Sequence, residues 1–137
     1  MPTETLTIEL YWLTVTTLMT ALMWLPYIVN RMIEQGIGNA IWDPQGETKT
    51  QTLWADRMAR AHLNAVENLI IFAPLVLTLH LTQLNNELTA FACMLYFFSR
   101  LTHYVVFSFG IPVIRVLSFM VSVVAQLILA FTLLGVI

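Results

Sequence analysis

Charged and polar side chains at helical spacing interrupt an otherwise strongly apolar chain. Arg57, Arg60, Asn64 and Glu67 are separated by three, four and three residues. Because successive residues of an α-helix are rotated by about 100°, these side chains share one face. Two further stripes have similar spacing: Tyr96, Arg100, His103 and Phe107, and then Arg115, Ser118, Ser122 and Gln126. The pattern predicts polar helix faces that are turned toward one another inside a bundle.

The chemistry of these stripes is mainly cationic. Burying a charge at mid-bilayer costs roughly 2.5–3.5 kcal/mol on insertion scales, so such groups face protein or water. Glu67 lies ten residues beyond Arg57 and Arg100 lies nine residues before Phe109, which gives depths of about 15 and 14 Å at ~1.5 Å per residue. We therefore predict a Glu67–Arg100 ion pair. The remaining cations suit a ligand with several carboxylates, and Glu67 or Asp56 suits an ammonium group.

A purely structural interpretation of the same residues stays open. Arg57, Arg60 and Arg115 can reach the headgroups as interface anchors. The other polar groups of the stripes can join neighbouring helices by hydrogen bonds, as polar residues do in membrane proteins. Spacing alone does not separate a binding site from a polar interface.

Membrane-spanning helices are the elements that must position these groups. Of the 137 residues, 58% are hydrophobic and 10% are charged, and the mean hydropathy is +0.78. A hydrocarbon core about 30 Å thick needs roughly 20 helical residues. Four stretches meet this length: 6–29, 57–84, 88–109 and 112–136. We expect one domain, residues 1–137, with an all-α fold: an integral membrane four-helix bundle with four transmembrane helices per protomer.

The distribution of Lys and Arg predicts the orientation. Arg31, Lys49, Arg57 and Arg60 lie in or beside the long connection 30–56, and Arg115 lies at the other connection on the same side. Lys and Arg accumulate in cytoplasmic loops, so we expect the 30–56 loop in the cytoplasm and both termini outside it. This loop holds Gly36, Gly38 and Asp43-Pro44, which is turn chemistry without a periodic apolar face.

Composition also excludes several classes of function. The net charge is −2 and the chain has no run of basic residues, so we expect no nucleic-acid partner. Cys93 is the single cysteine, so an internal disulfide framework is impossible. No spacing of His with Asp, Glu or Cys resembles a metal site, and we expect no metal.

The stretch from Arg60 to Glu67 reads R-A-x-x-N-x-x-E and opens the second of four predicted helices. In that setting it resembles the MAPEG family, the membrane-associated proteins in eicosanoid and glutathione metabolism. Arg100 with His103 is similar to the R-x-x-H pairing of the family's prostaglandin E synthase branch. Pro112 followed by Arg115 is similar to its P-x-R element with one residue inserted.

The resemblance implies a homotrimer that binds glutathione as co-substrate between neighbouring subunits near the cytoplasmic face. Arg60, Asn64 and Glu67 would then hold the charged ends of the tripeptide. The resemblance also places Arg100 and His103 in the glutathione site, and it makes Arg115 the catalytic residue that stabilises the thiolate. It implies a divergent bacterial member in the inner membrane, in contact with lipids and with a lipophilic small-molecule substrate.

The resemblance therefore implies a glutathione-dependent membrane transferase or peroxidase that activates the thiol toward lipophilic electrophiles or lipid hydroperoxides. Two positions depart from the family pattern. Phe107 stands where many members have a tyrosine, and Val116 stands where the prostaglandin branch has a serine. The departures keep an alternative open: a non-catalytic membrane scaffold or partner-binding subunit. A small transporter is a third class, with Glu67 as its candidate carboxylate for a cation or proton.

Overall fold

The computed structural model describes residues 5–43, 46 and 48–137, and this part of the chain contains helices and no strands. The helices are α1 (Ile8–Leu22), α2 (Leu25–Gln35), α3 (Ile37–Ile41), α4 (Leu53–Leu81), α5 (Glu87–Ser108) and α6 (Pro112–Leu133). Four stretches are long and apolar enough to span a membrane: Ile8–Gln35, Leu53–Leu81, Glu87–Ser108 and Pro112–Leu133. The predicted all-helical fold with four membrane-spanning segments is confirmed.

Two expectations about the first connection are wrong. The first segment does not end at residue 29, because α2 continues to Gln35, and α4 begins at Leu53 rather than at residue 57. Gly36 and Gly38 predict a loop, yet Gly36 directly precedes the helix Ile37–Ile41 and Gly38 lies within it. Pro44 lies outside the described residues. The connection between the first two spans is thus shorter and more helical than the turn residues indicated.

Pro26 explains the break between α1 and α2. Proline has no backbone N–H and its ring clashes with the carbonyl four residues earlier, which here belongs to Leu22. The helix α1 ends at Leu22 accordingly, and α2 restarts at Leu25 with the proline in its first turn. The hydroxyl of Tyr104 on α5 donates to the carbonyl of Met23 at 2.8 Å, which satisfies an acceptor that the break exposes.

The centre of the bundle is the pair α4 and α5. Helix α1 packs in the groove on one side of this pair and α6 in the groove on the other, while α2 packs on α4. Phe72 of α4 stacks on Tyr96 of α5 with ring centroids 3.7 Å apart, and both rings are buried. Their apolar surroundings include Val76, Cys93 and Leu129.

Hydrogen bonds tie the helix ends together. At the end of the bundle where α5 begins, Asn86 and Thr89 form a reciprocal capping box, and the hydroxyl of Thr89 donates to Glu9 of α1 at 2.6 Å. At the opposite end, Arg57 donates from Nε to the carbonyl of Ser108 at 2.9 Å. We call this second end the basic end, since Arg57, Arg60 and Arg115 all lie there. Both ends of α5 are therefore fixed by side chains of other helices or by its own cap.

Candidate functional site

Arg100 is the centre of a polar cluster inside the bundle. Its side chain points from α5 toward α4 and α6, and the residue is only 1% exposed. The guanidinium donates from Nη2 to Oδ1 of Asn64 at 2.6 Å, a short distance that is typical of a charge-assisted bond. Its other contacts are longer: Nη1 lies 3.5 Å from Oγ of Ser122, and Nη2 lies 3.4 Å from Nδ1 of His103.

Within the described part of the protomer, this buried guanidinium has no carboxylate partner. The ion pairs among the described residues are Arg31–Asp43 and Arg60–Asp56. The Nε atom of Arg100 is buried without any hydrogen-bond partner. The predicted Glu67–Arg100 ion pair is therefore wrong for a single protomer. Asn64, one turn earlier on α4, occupies the position that the prediction gave to Glu67.

His103, Phe107 and Arg115 extend the cluster toward the basic end. The ring of His103 is buried, and its centroid lies 5.5 Å from that of Phe107. The guanidinium of Arg115 lies over the face of Phe107, with Cζ 4.8 Å from the ring centroid. An arginine over an aromatic face gains roughly 0.5–2 kcal/mol, more when water is excluded. Phe107 thus contacts both the guanidinium of Arg115 and the ring of His103.

Arg60 and Glu67 lie apart from this cluster. Seven residues separate them on α4, so they share one face of the helix. The side chain of Arg60 is 71% exposed and donates from Nε to Asp56 at 3.1 Å. Glu67 is exposed, and no hydrogen bond to it occurs among the described residues. The structure brings together Asn64, Arg100 and His103, with Arg115 over the neighbouring Phe107, and it leaves Glu67 exposed and Arg60 mostly exposed near the loop at the basic end.

Arg57 and His62 of α4 have structural partners within the protomer. Arg57 donates a hydrogen bond from Nε to the carbonyl of Ser108. Its guanidinium packs against Gly110, whose φ is +73°. His62 faces away from the buried group, as its spacing predicts, and its Nδ1 lies 2.7 Å from the hydroxyl of Tyr27 on α2. Both side chains thus have a partner within the protomer.

A cavity of about 250 Å³ opens at the basic end between α2, the loop and the start of α4. Its polar lining includes Tyr27, Arg31, Lys49, Asp56 and Arg60. The buried group around Arg100 does not line it. The sequence gives no sign of this cavity, because nothing in the spacing of Arg31, Lys49 and Arg60 shows that they would line one space.

Hydrogen bonds hold the loop against α2 at this cavity. Glu34 accepts from the hydroxyls of Thr50 and Thr52, and Asn30 donates to Thr50 at 3.2 Å. Arg31 pairs with Asp43. Desolvation alone would raise the pKa of Asp43, but hydrogen bonds from Thr48 and Gly46 and the charge of Arg31 outweigh it and lower that pKa. Two independent sets of contacts therefore hold the loop against α2: the hydrogen bonds to Glu34 and the Arg31–Asp43 ion pair.

The family model described as the MAPEG family matches residues 10–135 of the 137-residue chain. The matched stretch includes all four membrane-spanning segments except the first two residues of α1, and it includes every candidate site residue. Neither the comparison with curated proteins nor the comparison with solved structures gave a match.

Proposed function

The chain belongs to the MAPEG family, and on that premise we propose that it is a glutathione-dependent membrane transferase or peroxidase. It would activate the thiol of bound glutathione toward lipophilic electrophiles or lipid hydroperoxides. Membership of the MAPEG family supports an integral multi-pass membrane protein, and this family includes glutathione transferases and peroxidases. The residues of this chain support the rest.

The observation that carries the proposal is the buried cationic group. Arg100, which is almost fully buried, and Arg115, which is partly buried, lie beside Asn64 and His103, and no carboxylate of the protomer neutralises Arg100 among the described residues. An unpaired charge in a low-dielectric interior is strongly destabilising, so such a group favours an anionic ligand or an anionic residue from a neighbouring subunit. Glutathione carries two carboxylates, an ammonium group and a thiol, which matches a site of several cations with one carboxylate nearby.

We propose that a second subunit completes this site in a homotrimer. Glu67 is exposed on a spanning helix, and a carboxylate that faces lipid at this depth is costly. A neighbouring protomer against this face of α4 would remove Glu67 and Arg60 from lipid and would bring them to a shared cleft. Arg60, Asn64 and Glu67 then hold the charged ends of glutathione, with Arg100 and His103 beside them. Mass measurement of the detergent-solubilised protein tests the trimer directly, and a monomer would contradict it.

Arg115 has the catalytic role in this proposal. A thiol has an ordinary pKa of about 8.5, and nearby cations favour its thiolate. Arg115 is held over Phe107 at the open side of the buried group, where a guanidinium can face the sulfur. The thiolate sulfur then forms a bond to the electrophilic carbon while the leaving group departs with the bonding electron pair. A lipophilic substrate reaches this point from the bilayer, in which it dissolves.

The orientation belongs to the same proposal. The basic end would face the cytoplasm, where glutathione is abundant, and both termini would lie outside it, in a bacterial inner membrane. The distribution of Arg31, Lys49, Arg57, Arg60 and Arg115 supports this orientation. Reporter fusions at the C-terminus test it: a periplasmic reporter should be active there, and an active cytoplasmic reporter would reverse the orientation.

Binding of glutathione is the experiment that tests the proposed site. Isothermal titration into the lipid-reconstituted protein should give saturable binding. Arg60→Ala and Glu67→Ala should each weaken it by about tenfold or more, since a hydrogen bond to a charged group contributes roughly 1.5–3 kcal/mol. Arg57→Ala and Glu87→Ala are matched controls, because Arg57 is occupied by Ser108 and Glu87 lies at the other end of α5. Equal losses in all four variants would contradict a specific site.

A non-catalytic scaffold is the second candidate, and two observations favour it. Phe107 lacks the hydroxyl of the tyrosine found in many family members, and Asn64 already satisfies part of Arg100 within the protomer. If the protein is a scaffold, millimolar glutathione should not raise the melting temperature of the solubilised protein. If it is an enzyme, glutathione should raise it, and Phe107→Tyr should retain or increase turnover.

A further inference from the structure

The end of α2 and the helix α3 present an apolar surface that the fold leaves uncovered. Ile33, Ile37 and Ile41 follow one another at intervals of four residues, and Trp42 comes next. Their exposed fractions are 78%, 64%, 73% and 83%. We call these four residues the isoleucine–tryptophan surface. The proposed glutathione site does not use it.

The height of this surface in the bundle can be worked out from two contacts. Tyr27 of α2 meets His62 of α4, so these residues are level. The helices α2 and α4 are antiparallel, so both distances are measured from this level toward the basic end. Ile33 lies six residues from Tyr27, or about 9 Å, and Arg57 lies five residues from His62, or about 7.5 Å. Arg57 is bonded to Ser108, the last residue of α5. Ile33 therefore lies near the level at which α5 ends.

That level is the boundary of the hydrocarbon core. Helix α5 has 22 residues and is about 33 Å long at ~1.5 Å per residue, close to the ~30 Å of a typical core. Residues that follow Ile33 in the chain leave the core at the headgroups. Gly36, with a φ of +80°, ends α2 there and lets the chain change direction into α3.

The opposite side of this segment is polar, and its α2 part contacts the loop. Glu34 is held by Thr50 and Thr52, and Arg31 is held by Asp43. On α3, Asn39 lies two residues from both Ile37 and Ile41, and so on the other side of the helix. The polar side chains of α2 are thus bound to the loop, and on α3 the apolar Ile37 and Ile41 lie opposite the polar Asn39, directly after the membrane-spanning segment Ile8–Gln35. A segment with this division is suited to the plane of a membrane interface.

We propose that the isoleucine–tryptophan surface lies in the boundary between headgroups and acyl chains of the leaflet at the basic end, and that it anchors the loop there. Tryptophan is enriched at this depth. Lys49 and Arg57 lie on the same end of the bundle, so anionic headgroups complement the surroundings electrostatically. Because the loop supplies Thr48, Lys49 and Thr50 to the cavity beside Arg60, contact with lipid fixes one wall of that cavity.

Site-directed spin labelling of the full chain tests the proposal. Cys93 is the only native cysteine and is buried, so single cysteines can be introduced at Ile37, Ile41 and, as a matched control, Asn39. Each labelled variant is reconstituted into vesicles of phosphatidylcholine and phosphatidylglycerol. Power saturation then compares collision with oxygen, which concentrates in lipid, and with a water-soluble nickel chelate. Labelling of the unmodified chain controls for Cys93.

The proposal predicts opposite readings on the two sides of α3. Labels at Ile37→Cys and Ile41→Cys should collide several-fold more with oxygen than with the chelate, and the label at Asn39→Cys should show the reverse. Strong collision with the chelate at all three positions would place α3 in water and overturn the proposal. Shielding of positions 37 and 41 from both agents would also overturn it, because a protein surface would then cover the patch. Two apolar positions keep the test decisive if one variant fails to fold.

Discussion

Replacing Asn64 with leucine should expose how much the buried guanidinium depends on one acceptor. The substitution removes Oδ1, which lies 2.6 Å from Nη2 of Arg100. The two contacts that remain, to Ser122 and His103, are at 3.5 and 3.4 Å and are too long to replace it. A hydrogen bond to a charged group contributes roughly 1.5–3 kcal/mol. We therefore expect the free energy of unfolding of Asn64→Leu to fall by about 2 kcal/mol.

The double variant separates an unpaired charge from a general loss of packing. Removing one partner of a buried polar pair is more damaging than replacing both by apolar groups of similar size. Asn64→Leu combined with Arg100→Met should therefore regain most of the stability that Asn64→Leu loses, so the two changes are non-additive. Thr14→Val is the control, since this exposed hydroxyl bonds only to the carbonyl of Leu10 in its own helix.

Equilibrium unfolding in mixed detergent and dodecyl sulfate micelles measures these differences without glutathione. Thr14→Val should change the free energy of unfolding by no more than about 0.5 kcal/mol. The reasoning fails if the double variant is less stable than Asn64→Leu, because the cost would then come from lost packing and not from the uncompensated guanidinium.

Three further predictions concern the frame around the site. Tyr104→Phe removes the donor to the carbonyl of Met23 and should lower the free energy of unfolding by about 1 kcal/mol; an unchanged value would show that the contact contributes nothing. Gly110→Ala puts a Cβ 3.2 Å from Cζ of Arg57 at a φ of +73°, which should cost about 1–3 kcal/mol in the same assay. Asp43 has a lowered pKa, so its carboxylate stabilises the loop above the unfolded pKa and loses this effect as pH falls through the folded one. The amides of Gly46 and Thr48, which donate to Asp43, should therefore exchange faster in Asp43→Asn than in wild type at neutral pH, and a difference that persisted in strong acid would contradict this.

Helical periodicity and length were enough to predict much of the fold. Apolar runs of about 20 residues gave four spanning segments, and the three- and four-residue spacings placed Asn64, Arg100 and His103 on faces that do meet. The same periodicity turned His62 to the other side of α4, where it contacts Tyr27. The periodicity of each single helix determines these properties, so the sequence is enough to predict them.

The partner of Arg100 could not be predicted in the same way. Depth along the helix made Glu67 suitable, but Asn64 and Glu67 differ by about 60° around the axis of α4. The packing of α4 against α5 decides between them, and it turns Asn64 inward and leaves Glu67 exposed. Rotation of a helix in a bundle depends on every contact that it makes, and spacing within one helix does not determine it.

The structure of the connection between the first two spans could also not be predicted in full from the sequence. Pro26 is a sequence signal for the break at Met23, but Gly36 and Gly38 indicate a loop where the structure has the helix Ile37–Ile41. Long-range hydrogen bonds such as those from Thr50 and Thr52 to Glu34 stabilise the extra turns of α2. Local propensity cannot anticipate contacts between residues that are 16 and 18 positions apart.

The most direct test of the central claim is the thiol pKa of glutathione bound to the reconstituted protein, compared between wild type and Arg115→Ala. Ultraviolet absorbance of the thiolate across a pH series measures it. The proposed enzyme should bind glutathione saturably and lower the thiol pKa below its ordinary value of about 8.5, and Arg115→Ala should bind glutathione with the pKa returned toward that value. Binding that leaves the thiol pKa of wild type unchanged, or no binding at millimolar glutathione, would contradict thiol activation by this protein.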